Sequence, residues 1–175
     1  MAKELNKLSE SASASVIPGM IGTKQSCTCE TCQSMCKRPC WGTPEEIFDI
    51  MIAGHGDRLM LDYWVDSFNG DIKIVCPASK GCESFGAPYV VDKPCTFQDA
   101  SSGLCALHST GLKPVEGREV WCGIDPESAQ ALHEQVAKLW DTEEGRAVVE
   151  LWKESIASLS DRVSPRVLVS ERGTQ

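Results

Sequence analysis

Five of the ten cysteines crowd into residues 27–40, in the order Cys27-x-Cys29-x2-Cys32-x3-Cys36-x3-Cys40. Thiolates are soft ligands that suit zinc, iron–sulfur clusters and Cu(I). On a continuous helix turning about 100° per residue, Cys29, Cys32, Cys36 and Cys40 share one arc of about 80°, and Cys27 points away. The same helix would separate Cys29 from Cys40 by about 16 Å along its axis, whereas a Zn–S bond is only about 2.3 Å long. A straight helix therefore cannot gather all four around one ion. Pro39 cannot continue the hydrogen-bond ladder and pushes Arg38 out of helical conformation. The chain then bends to bring Cys40 back, or more than one metal atom is held.

Further donors follow along the chain: Cys76, Cys82, Cys95-x9-Cys105-x2-His108, and Cys122. The spacing of Cys105 and His108 lets both side chains bind one metal. Cys76, between Val75 and Pro77, reads equally as a small buried apolar residue, and Cys27 and Cys82 read more readily as such than as ligands. The predicted ligand set is Cys29, Cys32, Cys36, Cys40, Cys76, Cys95, Cys105, His108 and Cys122. His55, between two glycines, reads as a loop residue, and His133 as a solvated helix position. So large a donor set exceeds one structural zinc and points to two mononuclear sites or one polynuclear cluster. The spacing matches neither a standard zinc finger nor the bacterial ferredoxin run. A thioredoxin-like Cys-x2-Cys pair expects a strand ahead of its helix, and none is visible before Cys29.

Compartment decides between metal and disulfide. The N-terminus has no apolar run long enough for a secretory signal. No stretch approaches about 18 apolar residues, so no membrane span is expected. The cytoplasm is the predicted location, and reducing compartments keep thiols available for metal or redox chemistry. A net charge of −8 repels nucleic-acid phosphate and anionic lipid, which argues against either as a partner.

The chain has 175 residues and 42% hydrophobic residues, enough for one modest core. Residues 1–25 read as a flexible arm, with a short helix over 3–9. Residues 26–158 read as one cysteine-cluster domain, with its metal-binding part over 27–122 and a helical hairpin over 125–158. Residues 159–175 read as a flexible tail, with a short strand over 167–169. Thr43-Pro44-Glu45-Glu46 carries a capping box with proline at the first helical position, which explains both glutamates without acid–base catalysis. That helix is expected to end at Gly54, with one more turn near Gly56. Residues 72–76 read as a short buried strand with residues 89–91 as a partner. Asp125-Pro126 opens a second helix, and a third runs over 142–157, their tryptophans serving as core anchors. The predicted fold class is α+β, mostly helical and loop-rich, with a small metal-stabilised domain followed by a C-terminal helical hairpin.

The run Cys29-Glu-Thr-Cys32-Gln-Ser-Met-Cys36-Lys-Arg-Pro-Cys40-Trp-Gly-Thr-Pro-Glu-Glu resembles the opening of the YkgJ-type cysteine-cluster proteins, described as zinc- or iron-chelating domains. Pro94-Cys95, Gly103-Leu-Cys105-Ala-Leu-His108, Leu112-Lys-Pro114 and Gly117-Arg118 resemble that family's later cysteine-and-arginine block. The family opens with Cys-x2-Cys-x2-Cys-Cys, whereas Cys36 and Cys40 are spread apart here. Where the family carries Cys before the later arginine this chain has Gly117, and Cys122 is the candidate to replace that thiolate. The resemblance implies metal binding by Cys29, Cys32, Cys36, Cys40, Cys95 and Cys105, and implies no enzyme activity. Arg118 can offset thiolate charge or form a surface salt bridge, and Lys37 and Arg38 can offset charge in the first cluster.

Three functions compete: a metal-binding module with a structural or delivery role, an iron–sulfur protein of electron transfer or redox catalysis, and a zinc domain that binds a protein partner through its C-terminal helices. The nearly all-sulfur donor set favours iron or an iron–sulfur cluster as the cofactor, with zinc the alternative.

Overall fold

The structure, a computed structural model, describes residues 29–38, 40–66, 70–84, 93–120 and 122–163. The expected N-terminal arm, Cys27, the bend at Pro39, the strand over 89–91 and the strand over 167–169 lie outside the described residues.

The first cysteine segment is helical only over α1, Glu30–Met35, so the long helix needed to align four thiols does not form. Cys29 caps α1 at its N-terminus and Cys36 at its C-terminus. The second helix, α2, spans Pro44–Ile50. Its capping box is complete: Thr43 Oγ1 accepts from Glu46 N at 3.2 Å, and Glu46 Oε2 accepts from Thr43 N at 3.0 Å. Ile47 and Ile50 turn their side chains into the core. The helix then widens into a π-turn, Met51–His55, and tightens into a 3-10 turn, Gly56–Arg58. Gly54 sits inside that π-turn at φ 86°, a left-handed value that L side chains disfavour, so it redirects the chain without ending it cleanly.

The chain leaves this turn as β1, Leu59–Asp66, which pairs antiparallel with β2, Gly70–Pro77. The register sets Leu59 opposite Pro77, Leu61 opposite Val75 and Trp64 opposite Ile72. The expected strand is therefore present and longer than its apolar run. Its described partner is β1, whose first residues lie at the helical turn expected near Gly56. At the hairpin's closed end the strands alternate, with Tyr63 and Val65 exposed and Trp64 and Ile72 half-buried. At the other end Leu59, Met60, Ile74, Val75 and Cys76 are buried on both faces.

The loop-rich middle is pinned at Phe97, which is buried. The Arg58 guanidinium lies 4.0 Å above its ring, and Thr96 Oγ1 donates to Arg58 O at 3.0 Å. A short helix, α3, follows at Val115–Glu119.

The C-terminal hairpin consists of α4, Pro126–Trp140, and α5, Glu143–Val163. Asp125 caps α4, accepting from Ser128 N at 2.8 Å. The hairpin covers β2, and its Leu132, Val136, Trp140, Val149 and Trp152 join Ile47, Ile50 and Ile74 in one core. The indoles also reach polar partners. Trp140 Nε1 donates to Gly42 O and Trp152 Nε1 to Gly56 O, each at 2.9 Å, which ties the hairpin to both ends of the α2 segment. The turn between α4 and α5 is tight because Gly145 lacks a Cβ. That atom would lie 2.6 Å from Trp140 Cα, closer than real contacts permit. The last helix runs past residue 158 to Val163, since the first strong breaker is Pro165, which disfavours helix at Ser164. Helices around a two-stranded sheet make this an α+β chain, and no described helix is long and apolar enough to cross a membrane.

Candidate metal centre

Cys29 occupies the position where Ser, Thr, Asp or Asn usually caps a helix. Its Sγ accepts from Cys32 N at 3.4 Å, so the cap itself orients the first thiol toward the second. Cys122, 90 positions beyond Cys32, donates its backbone N–H to Cys32 Sγ at 3.3 Å. The Sγ atoms of Cys29, Cys32 and Cys122 all lie within 4.8 Å of one another. Around a tetrahedral ion with Zn–S bonds of about 2.3 Å, neighbouring sulfurs stand about 3.8 Å apart. Small side-chain rotations bring the trio to that spacing, so the donor set fits a single ion. Cys29 and Cys122 are exposed and Cys32 is half-buried, which leaves the centre at the surface.

The other predicted ligands lie elsewhere. Cys36, Cys40, Cys95 and Cys105 form a deeper neighbourhood joined by close backbone contacts. Cys95 N donates to Cys36 O at 2.8 Å, and Cys105 bridges to Gln98, whose side chain donates to Gln33 O on α1 at 3.2 Å. A Cβ at Gly117 would lie 3.5 Å from Cys40 Sγ, so the α3 backbone closes over that thiol. Cys76 and Cys82 are buried in the core. His108 is exposed, and its backbone N–H donates to Cys105 O at 3.1 Å. Among the described residues, only Cys29, Cys32 and Cys122 make a group of three donors with metal-binding spacing.

Burial raises the pKa of the deeper thiols. It pushes Cys40 and Cys76 well up, reinforced by Cys95 beside Cys40 and by Asp62 beside Cys76. Cys36 also rises through burial and the nearby Cys105 thiol, partly offset by the Lys113 charge. Burial carries Cys95 up to about 11, against a hydrogen bond from Phe97 N that lowers it. A raised folded pKa means that the folded state favours the neutral thiol. Its stabilisation is complete below the unfolded value of 9.0 and is lost as pH rises through the folded value, about 11 for Cys95. Metal-free protein should therefore require less urea to unfold at pH 10 than at pH 8, as followed by tryptophan fluorescence.

Between the deeper thiols and the helical hairpin lies a polar network absent from the sequence reading. Glu116 is buried, accepts from Trp41 N at 2.7 Å and meets His133 Nδ1 at 2.5 Å. The His133 ring stacks on Trp41 at 3.8 Å, and Trp41 Nε1 donates to Asp62 Oδ2 at 3.0 Å. His133 is thus a packed, bonded residue and not a solvated one. Its helix position resembles any exposed i+4 neighbour, and Trp41 and Trp64, arriving from distant segments, cover it. Glu116→Ala would strand the Trp41 N–H beneath the surface and cost about 1–3 kcal/mol in urea unfolding, whereas Glu116→Gln, which keeps an acceptor, should cost less. Arg118 is ion-paired with Glu46 at 2.5 Å, the surface salt bridge of the two expected roles. Lys37 and Arg38 are exposed beyond the end of α1.

Comparison of the chain with protein-family models, curated proteins and solved structures gives no match.

Proposed function

We propose that the protein holds one transition-metal ion, zinc or ferrous iron, on the thiolates of Cys29, Cys32 and Cys122. The observation that carries this reading is the convergence of three sulfurs within 4.8 Å from segments far apart in the chain. The three described ligands are one fewer than the four of a closed structural zinc site. Exposure of Cys29 and Cys122 supports a delivery role, with a partner docking near the N-terminus of α4. Such thiolates need a reducing compartment such as the cytoplasm. The resemblance to YkgJ-type proteins supports metal chelation and supplies no reaction.

A second reading has its own observation. Cys36, Cys40, Cys95 and Cys105 supply four sulfurs in one neighbourhood, the donor count of an iron–sulfur cluster.

Anaerobic purification, a visible spectrum and assays of zinc, iron and acid-labile sulfide test both. A colourless protein with stoichiometric zinc and no sulfide supports the surface site alone. A brown protein with iron and sulfide that survives loss of Cys29 and Cys122 supports the deeper cluster. Protein that takes up neither metal from micromolar solution would end both readings.

A further inference from the structure

The surface trio has a second chemistry. Its sulfurs lie within 4.8 Å of one another, and side-chain rotation must close two of them to the S–S length of about 2.0 Å. Cys29 and Cys122 are both exposed, so a small oxidant reaches them and no core packing opposes their rotation. Cys32 is half-buried; its Sγ accepts from Cys122 N, as Cys29 Sγ accepts from Cys32 N, so exposure and not hydrogen bonding sets it apart. The remaining described cysteines are half-buried or buried, with Cys76 and Cys82 inside the core. Access therefore singles out one pair among the described thiols.

We propose that Cys29 and Cys122 form a reversible disulfide that expels the metal, making the centre a thiol–disulfide switch for metal release. The release step rests on the metal site proposed above; the disulfide itself does not. The oxidant is a low-molecular-weight disulfide, RSSR. The Cys122 thiolate attacks one sulfur of RSSR, a mixed Cys122–SR disulfide forms, the RS–SR bond breaks, and RS⁻ leaves. The Cys29 thiolate then attacks Cys122 Sγ and displaces the second RS⁻. Two protein thiolates are oxidised by two electrons, and RSSR is reduced to two thiolates that take protons from water. The new S–S bond consumes two of the three metal ligands. Cys32 alone cannot hold a tetrahedral ion, so the metal leaves. The bond also joins the cap of α1 to the segment before α4, locking the apo centre in place until a dithiol reduces it.

The test uses the full chain, reduced and loaded with zinc, then treated with oxidised glutathione in the presence of a chromogenic zinc chelator. Peptide mapping under non-reducing conditions identifies the bond formed. The expected result is a Cys29–Cys122 disulfide, release of the bound zinc at the same rate, and recovery of zinc binding after dithiothreitol. Metal-free protein should form the same bond, and Cys29→Ser or Cys122→Ser should lose it while folding normally by circular dichroism. Disulfides that map to other cysteines, glutathionylation without an internal bond, or zinc that stays bound after full oxidation would each overturn the switch and leave the metal site standing. A protein that never binds zinc yet forms the Cys29–Cys122 bond would overturn the metal reading and the release step, leaving a thiol–disulfide pair.

Discussion

Cys122→Ser is expected to lower zinc affinity by at least about 100-fold, since loss of an outer-shell partner alone typically costs 10–100-fold. A serine hydroxyl is a far harder and weaker ligand than a thiolate. Competition with a chelator of known affinity measures the change. The same substitution at Cys82, which is buried in the core and away from the trio, should leave affinity within a factor of about three. Equal losses at both positions would mean that the substitutions act through folding and not through ligation. Cys122 is informative because it comes from a distant segment, 90 positions beyond Cys32.

Trp140→Ala should destabilise the protein by about 3–5 kcal/mol in urea unfolding, with or without metal. Trp140 is fully buried at the end of α4, and its indole bonds Gly42 O at 2.9 Å. Truncation leaves a cavity in the core and strands that carbonyl. Trp140→Phe separates the two contributions, since it keeps most of the packing and loses only the bond, at about 1 kcal/mol. The consequence reaches the site. Gly42 follows Trp41, whose backbone and ring are held by Glu116, Asp62 and His133, so loosening the hairpin loosens the segment after Cys40. A fall in stability as small as that of Trp140→Phe on the alanine variant would contradict this account of the core.

Local signals in the chain were read well where the physics is local. Thr43, Pro44 and Glu46 specify a helix start through bonds within four residues, and that start is where the structure has it. Asp125 and Pro126 do the same for α4. The apolar spacing of Val136, Trp140, Val148 and Trp152 marks helix faces whose burial follows. β1 escaped notice because Leu59–Asp66 mixes an apolar run with two aspartates, a pattern compatible with a helical turn. Its strand character comes from pairing with β2. The length of the helix through the cysteines is not legible from spacing. Periodicity is compatible with four aligned thiols, yet α1 stops at Met35.

The amino-acid sequence by itself determined that thiols dominate this protein's chemistry, which helices begin where, and that a tryptophan-anchored hairpin follows the cysteine segments. These follow from composition, and from caps and periodicity, which act over a few residues. Which thiols meet was decided only in three dimensions. Cys122 joins Cys29 and Cys32, while Cys36 and Cys40 turn toward Cys95 and Cys105. The likeness of one cysteine to another carries no address. The address is set by the hairpin seated on β2, whose His133 meets Glu116 of α3 and stacks on Trp41, and so positions the chain on either side of the cluster.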